Sequence, residues 1–454
     1  MIPKMNGNPF YHLTAIDQVE HFYNRRSEVH NALRLLRKSQ NVGVMGPRRI
    51  GKTSFLRYIS HPATLQEYGI DPRLNLFVYI DCQHRLIQQE KHQVYKMMLE
   101  CIAEAAHRFG IDFVPESWDE STAGAVFEFT LEEMSRQGLR TILLWDEFEE
   151  MARNPHLDPG FFSNLRALCS ADDIAVVYVT ASCDSLADLC LERQSLLSSP
   201  FFNIFRPIRL GLFNEQDSQH LVDDSLHRVG ACLPKGLLEL VLEVGGGHPF
   251  FLQMAGYHAF DLAVTGEELT EDQHKAFLEA VSAEATGHFK SYWQKLDEQE
   301  QYVLAALPLV WKDLNYQETI EHLRDQCLIT RHNGRYDYLS PLFEAFVRRQ
   351  EVNGLLQAGP LLVDQRQEQV ILRGEPLSLS PTNYALLTCL MQRAGQVVSN
   401  EELWRAVWSE ESYNADQQLK SSVKSLRKAL GDDASCIVNR RSVGYIFQRT
   451  DTSR

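Results

Sequence analysis

An α/β core with a parallel sheet, a helical lid and two small α+β units behind it is the organisation that the sequence predicts. Three observations carry this. Apolar, β-branched runs alternate with helical patterns over residues 1–215; a glycine-bounded turn stands between the first such run and the first following helix; and from about residue 290 helices are twice followed by a short hairpin. At 454 residues the chain is too long for one ordinary domain, and 44% hydrophobic with 23% charged residues is normal for globular proteins. There is no run of about 18 apolar residues, so no transmembrane helix and no membrane partner are expected. The N-terminus lacks the basic start and apolar core of a secretory signal. Nine cysteines stand singly, without metal-ligand spacing, and read as reduced thiols of a cytoplasmic protein. A net charge of −15 excludes general coating of nucleic acid but leaves room for one basic patch.

The expected strands are 41–46, 74–82, 140–147 and 174–182, with 201–213 as a fifth. Continuous apolar strands separated by helices fit a parallel sheet covered on both faces. Residues 216–285 read as a helical lid, interrupted at Gly245-Gly246-Gly247-His248-Pro249. Residues 286–352 read as helices followed by a hairpin turning at Asn333-Gly334, the pattern of a winged helix. Residues 353–360, Asn-Gly-Leu-Leu-Gln-Ala-Gly-Pro, read as a linker. Residues 361–454 open on strands, continue as helices and close on a second hairpin, giving a second winged helix.

The turn at Gly46-Pro47-Arg48-Arg49-Ile50-Gly51-Lys52-Thr53, followed by Ser54, fits Gly-x-x-x-x-Gly-Lys-Ser/Thr at every fixed position, between a strand and a helix. This predicts a P-loop NTPase core. The glycines let several backbone N–H groups face one point, and the helix start adds its own unpaired donors. Lys52 is then expected on the β- and γ-phosphates and Thr53 on Mg²⁺. The strand Thr-Ile-Leu-Leu-Trp ends in Asp146 and Glu147. Asp146 is the expected second metal carboxylate, and Glu147 the general base for an attacking water. The plainer alternative is an acidic helix start, since Glu147, Glu149 and Glu150 would also complement a helix dipole.

Residues 8 to about 280 resemble the signal-transduction ATPases with numerous domains (STAND), near the AAA+ and Orc/Cdc6 group. The segments Asn-Pro-Phe at 8–10 and Phe-Tyr-Asn-Arg-Arg-Ser-Glu-Val at 22–29 resemble that family's N-terminal motif. Arg25 and Glu28 match it, while Asn24 replaces the usual glycine; the resemblance implies that this segment lies over the adenine. Residues 161–169 resemble the helix between Walker B and sensor 1. That implies a phosphate-sensing or inter-subunit role for Arg166, against the alternative of a surface arginine on an amphipathic helix. Val-Tyr-Val-Thr-Ala-Ser at 177–182 matches the sensor 1 strand, implying Thr180 or Ser182 at the γ-phosphate. No arginine follows, so slow hydrolysis is expected. The glycine run before Phe250 resembles the lid motif, implying His248 near the phosphates and Pro249 against the base; a helix-breaking turn is the alternative. The resemblance implies a switch: ADP held in a closed monomer, exchanged for ATP on a signal, with the lid swinging out and a homo-oligomer forming.

In the last unit Leu379, Leu386, Leu387, Leu390 and Leu403 with Trp404 read as core, and Leu419, Val423, Leu426 and Leu430 form the buried stripe of an amphipathic helix. Its other face carries Lys420, Ser421, Ser422, Lys424, Ser425, Arg427 and Lys428, and the closing hairpin carries Arg440 and Arg441. Over residues 417–449, seven basic residues stand against two acidic ones, a local charge of +5 on an acidic chain. A basic, hydroxyl-bearing helix is the electrostatic footprint of a DNA-reading element. Residues 360–450 resemble the OmpR-type winged-helix DNA-binding domain, through the segments 379–408, 421–433 and 438–447. The resemblance implies double-stranded DNA as partner, with a recognition helix bearing Lys420, Ser421, Lys424, Ser425, Arg427 and Lys428 and a wing bearing Arg440 and Arg441. The internal winged helix lacks such a face and is expected to relay the state of the ATPase.

Together these features predict an ATP/ADP- and Mg²⁺-binding, nucleotide-switched DNA-binding regulator with slow ATPase activity, answering to a protein or small-molecule inducer. The alternatives left open are an ATPase acting on DNA in replication, transposition or phage defence, and a sensor whose output is another protein.

Overall fold

In the computed structural model the described residues are 7–10, 21–108, 110–111, 119–192, 200–262, 269–311, 313–332, 334–408 and 415–448. They divide into two compact units, residues 1–281 with 325–327, and residues 282–324 with 328–454.

The first unit is built on five parallel strands, β1 (Asn41–Met45), β2 (Asn75–Asp81), β3 (Arg140–Asp146), β4 (Val176–Ser182) and β5 (Phe205–Arg209), in the order β2-β3-β4-β1-β5. The helices are α1 (Arg26–Arg37), α2 (Lys52–Ser60), α3 (Pro62–Glu67), α4 (Lys91–Arg108), α5 (Ala123–Arg136), α6 (Phe148–Arg153), α7 (Pro159–Leu168) and α8 (Leu186–Glu192), then α9 (Glu215–Arg228), α10 (Lys235–Gly245), α11 (Pro249–Leu262) and the first half of α12 (Glu271–Trp293), whose residues from 282 on belong to the second unit. Two apolar clusters cover the sheet. One gathers Val78, Met98, Phe127, Trp145, Phe162 and Tyr178; the other gathers Leu33, Val44, Phe55, Ile142 and Val179. Alternate residues of β3 and β4 thus feed opposite faces, which is why these strands read as unbroken apolar runs. The expected fifth strand is shorter: only Phe205–Arg209 pairs with β1, and a 3-10 turn at Pro200–Ile204 precedes it. Registers Met45↔Ser182 and Asp81↔Asp146 bring the carboxyl ends of β1, β2, β3 and β4 to one edge, beside the point where the strand order reverses. Ligands of open α/β sheets bind there.

The second unit begins with α13 (Glu298–Ala305), α14 (Leu307–Val310) and α15 (Gln317–Asp325), then a hairpin of β6 (Ile329–His332) and β7 (Arg335–Tyr338) and helix α16 (Pro341–Val347). Gly334 has the positive φ, 80°, that this tight turn requires; Asn333 lies outside the described residues.

Residues 353–360 are not a linker. Leu355–Ala358 is a strand, β8, antiparallel to β9 (Leu361–Asp364), followed by β10 (Gln369–Leu372) and β11 (Glu375–Pro376) in a four-stranded sheet ordered β11-β10-β9-β8. Gly359, at φ 57°, and Pro360 form the two-residue turn between β8 and β9, and Leu355 and Ala358 are buried. The Gly-Pro pair is hairpin chemistry, and the two apolar positions hold the strand down.

Beyond it lie α17 (Pro381–Gln392), β12 (Val397–Ser399), α18 (Asn400–Val407), α19 (Ala415–Leu430), β13 (Ile437–Arg440) and β14 (Gly444–Phe447), with the sheet order β12-β14-β13. Ser399 caps α18 in a reciprocal box with Glu402. Leu386, Leu387, Leu390, Leu403, Leu419, Val423, Leu426 and Leu430 form one buried core as expected. Leu379 is only partly buried against it. Trp404 is a further departure: half-exposed, it stacks on Trp408 at 4.4 Å between ring centroids.

Candidate functional site

The turn between β1 and α2 is fixed from below. Gly46 leaves no room for a side chain, since a Cβ there would lie 2.7 Å from the Leu210 carbonyl. Gly51 caps α2 at φ 101°, and Arg49 is also left-handed at φ 63°. Lys52 is buried, its ammonium donating to the carbonyls of Gly46 (2.9 Å) and Pro47 (3.2 Å) and to Cys183 Sγ (3.1 Å). Arg48 and Arg49 are exposed, while Ile50 is buried beneath the turn.

Thr53 and Asp146 meet. The Thr53 hydroxyl donates to Asp146 Oδ2 at 2.7 Å, and the Tyr79 hydroxyl donates to the same oxygen at 2.6 Å. Asp146 is 3% exposed, at the end of β3. A hydroxyl and a buried carboxylate converging at the head of a phosphate turn are a donor set that suits Mg²⁺. Burial, then the Asp146 carboxylate, push the Tyr79 phenol well above its ordinary range, so it stays a donor. Tyr79 was not anticipated, because only the pairing of β2 with β3 brings it to Asp146.

Glu147 follows in a left-handed conformation, φ 51°, half-buried. Burial raises its pKa above the usual carboxylate value, Lys52 and Arg48 pull it down, and Glu149 and Asp146 raise it further. Glu149, buried on α6, accepts the Cys183 N–H at 3.1 Å. Cys183, the residue just past β4, thus stands against both Lys52 and Glu149. Burial pushes its thiol up to about 11. Thr180 is instead enclosed in mid-sheet, opposite Gly43 on β1 and Trp145 on β3, and its hydroxyl has no hydrogen-bond partner among the described residues. The Ser182 hydroxyl donates to the Asp184 carbonyl. The residue facing the lysine is therefore Cys183, just past the end of β4 and one beyond Ser182.

Arg25 supports the turn. Its guanidinium donates to the carbonyls of Gly211 (2.6 Å) and Ile50 (3.3 Å) and lies 4.7 Å from the Phe213 ring centroid. Burial lowers its pKa, and Glu28 at 3.5 Å opposes that shift. The lid motif is beside the turn too: the Arg49 guanidinium lies over the Phe250 ring at 4.3 Å. The Phe213 N–H donates to Gly247 at 2.7 Å, where a Cβ would strike the Phe213 carbonyl. His248 is buried against Phe251, 4.9 Å between centroids, and Pro249 opens α11. Arg166 is half-buried on α7, and Ser54 is half-buried in the first turn of α2.

In the C-terminal domain Lys420, Ser421, Lys424, Ser425 and Lys428 are exposed on α19, and Arg440 and Arg441 at the end of β13. Lys420 pairs with Asp416 at 3.7 Å. Two of the expected DNA contacts also bind within the domain. Arg427 is half-buried and donates to the Ile437 carbonyl, tying α19 to β13, and Ser425 accepts from Asn383 Nδ2 at 3.1 Å. Arg449 lies outside the described residues. No helix of the described residues is long and apolar enough to cross a membrane.

Comparisons with known proteins divide along the same lines. The family described as "Novel STAND NTPase 2" matches residues 39–308, and "Transcriptional regulatory protein, C terminal" matches residues 374–447. Among curated proteins, the transcriptional regulatory protein TctD of Salmonella typhimurium is 28% identical over 180 residues, covering 34% of this chain and 80% of that protein. The sensory transduction protein RegX3 of Mycolicibacterium smegmatis is 31% identical over 96 residues, covering 20% of this chain and 42% of that protein. Among solved structures, the Walker-type ATPase PABY2304 of Pyrococcus abyssi aligns with a TM-score of 0.53 at 15% identity, covering 74% of this chain and 99% of that one. The ORC2 protein of Aeropyrum pernix, solved as ADPNP–ADP complexes, gives 0.50 at 13% identity, covering 76% and 97%. These two likenesses show the fold alone.

Proposed function

The chain belongs to the Novel STAND NTPase 2 family and carries a transcriptional-regulator C-terminal domain, and from that pairing we infer that it is a cytoplasmic, nucleotide-switched regulator whose output is binding to double-stranded DNA. The observation that carries the reading is the contact of Thr53 with Asp146 at the phosphate turn, in a chain whose C-terminal domain bears an exposed basic helix. ATP with Mg²⁺, when bound, supplies a cleavable phosphoanhydride and the charge that distinguishes it from ADP. Lys52 would hold the phosphates, exchanging the carbonyls of Gly46 and Pro47 for them. Thr53 and Asp146 would hold the metal. Glu147, its pKa raised by burial, would accept a proton from water, and slow turnover would reset the switch.

A nucleotide shifts a conformational equilibrium only through different affinity for the two states. The phosphate turn is coupled to the lid through Arg49 on Phe250, so a change at the phosphates has a direct route to α11. In the ATP state chains would assemble and pair their C-terminal domains on repeated half-sites, gaining avidity by effective concentration without new contacts. Lys420, Ser421, Lys424 and Lys428 would enter the major groove, and Arg440 and Arg441 would reach the backbone beside it.

The test is binding to a pool of genomic fragments, sequenced after selection, for wild type and Lys52→Ala with ADP or with ATP and Mg²⁺. Enrichment of a repeated site that needs ATP and Lys52 is the expected result. Unselective binding with DNA-stimulated hydrolysis would replace this reading with an ATPase acting on DNA. No retained DNA in any state would sink both.

A further inference from the structure

We propose that Glu149 is a positioning residue for the phosphate turn, acting through the single peptide unit that joins Ser182 to Cys183. The carbonyl of that peptide, on Ser182, accepts the N–H of Gly46 at 3.2 Å. Its N–H, on Cys183, donates to Glu149 Oε1 at 3.1 Å. A peptide group is planar, so fixing the direction of its N–H fixes the direction of its carbonyl. Glu149 on the helix after β3 therefore sets how the end of β4 receives the first glycine of the turn on β1. One residue on, Cys183 Sγ accepts from Lys52, so the same short segment also bears on the lysine.

Core packing does not account for a carboxylate at this place. Glu149 is 3% exposed, and its second oxygen is buried with no hydrogen bond among the described residues. A half-satisfied buried carboxylate is costly, and its charge stands near Glu147, with carboxylate oxygens and the Cys183 sulfur all within 4.8 Å of one another. An apolar residue would be easier to bury. What an apolar residue cannot do is accept the Cys183 N–H and hold that peptide against rotation.

The effect on affinity rests on the reading of Gly46–Thr53 as a nucleotide site; the effect on the backbone does not. Both are measured on the full chain, with Glu149→Ala, Glu149→Asp, Glu149→Gln and Glu149→Met. Hydrogen exchange without nucleotide is read over segments 41–52 and 176–186, and ADP affinity is measured by titration, with Lys52→Ala as the control for the site itself. Glu149→Ala, and Glu149→Asp whose side chain is one methylene shorter, are expected to exchange about tenfold faster in both segments. They should also bind ADP about tenfold or more weakly, the scale of a lost charge-assisted hydrogen bond. Glu149→Gln keeps an acceptor oxygen and should stay within about twofold of wild type. If the residue merely filled space, Glu149→Met, of similar length but without an acceptor oxygen, would stand with wild type, and that result would overturn the proposal; so would Gln ranking with Ala. So would wild-type exchange in both the Ala and Asp variants. If the Ala variant does not fold, the Asp and Gln pair decides. Absence of ADP binding by the wild type would remove the nucleotide reading, while the exchange data would still decide the role of Glu149.

Discussion

Removing one hydroxyl, by Tyr302→Phe, should loosen the four-stranded sheet from the helices of the internal winged helix. Tyr302 lies on α13 and is fully buried; its hydroxyl donates to Asp364 Oδ2 on β9 at 2.5 Å. Asp364 is also fully buried, and its other oxygen accepts the N–H groups of Arg366 (2.8 Å) and Gln367 (3.2 Å). The Arg366 guanidinium covers the Tyr302 ring at 4.2 Å. Burial and then Asp364 push the Tyr302 phenol above its ordinary value, which favours the protonated, donating form. A hydrogen bond to a charged group contributes about 1.5–3 kcal/mol. For a unit of this size 1 kcal/mol moves Tm by about 2–4 °C, so Tyr302→Phe should lower it by about 5 °C. Calorimetry of the full chain measures this, and addition of ADP with Mg²⁺ separates the transitions, since ligand raises only the unit that binds it. The ligand-insensitive transition should fall. A cycle with Asp364→Asn should give a coupling above about 0.5 kcal/mol. An unchanged transition, or additive losses, would refute the idea that this pair joins the two folds.

Further outcomes follow from particular residues. Lys52→Ala removes a buried ammonium held by two carbonyls, and should weaken ADP binding at least about thirtyfold by titration. Lys424→Ala and Arg440→Ala should each lower the log–log salt slope of DNA binding by about 0.9 with Tm unchanged. Arg427→Ala should also cost about 1–3 kcal/mol of stability by denaturant titration, because its donor to the Ile437 carbonyl is lost. Gly444→Ala should abolish folding of the C-terminal domain, read as loss of its unfolding transition, since a Cβ would lie 1.9 Å from the Val398 carbonyl across the β12–β14 pair.

What was legible in the sequence was whatever local pattern decides. Lys52 and Thr53 stand in a motif whose spacing is its own geometry, and Asp146 ends an apolar strand, so their meeting needs only that β3 lie near β1. The stripe Leu419, Val423, Leu426 and Leu430 follows from helix periodicity alone. Where strand order and register decide, the sequence was silent. Tyr79 reaches Asp146 only because β2 pairs with β3, and Cys183 reaches Lys52 only because Met45 pairs with Ser182. The same register encloses Thr180 opposite Gly43, short of the strand end. Arg25 is read from the motif it matches and Arg427 from its charge, but both spend hydrogen bonds on backbone carbonyls, a use that neither motif nor composition reveals. Residues 353–360 carry the composition of a linker, yet their two buried apolar positions and a Gly-Pro turn form a hairpin strand.

The strand that replaces the linker bears on how a switch could work. A flexible tether would let the C-terminal domain search for DNA independently of the nucleotide, and ATP could then act only through assembly. Here the chain between the internal winged helix and the DNA-binding helices is paired strand, and its neighbour β9 carries the Asp364 that holds Tyr302. Within this unit, a movement of α13 carries β9 with it unless that buried bond breaks. Lys420, Lys424 and Lys428 of α19 and Arg440 of β13 are exposed within the unit, so nucleotide need not uncover them there. Orienting two such units in one assembly would suffice, because effective concentrations in the millimolar range raise affinity by about 10²–10⁴ over a single domain. The upper end of that gain reaches the roughly 10⁴-fold differential needed to turn a switch from mostly off to mostly on. Rigidity matters for this sum: a domain held at a fixed angle meets its half-site in register, whereas a loose one loses part of the gain to orientational freedom. Tyr302→Phe should therefore weaken ATP-dependent binding to a paired site more than binding to a single half-site, although the residue touches neither nucleotide nor DNA. Equal weakening on both would separate the Tyr302–Asp364 bond from the switch and leave it a matter of stability alone.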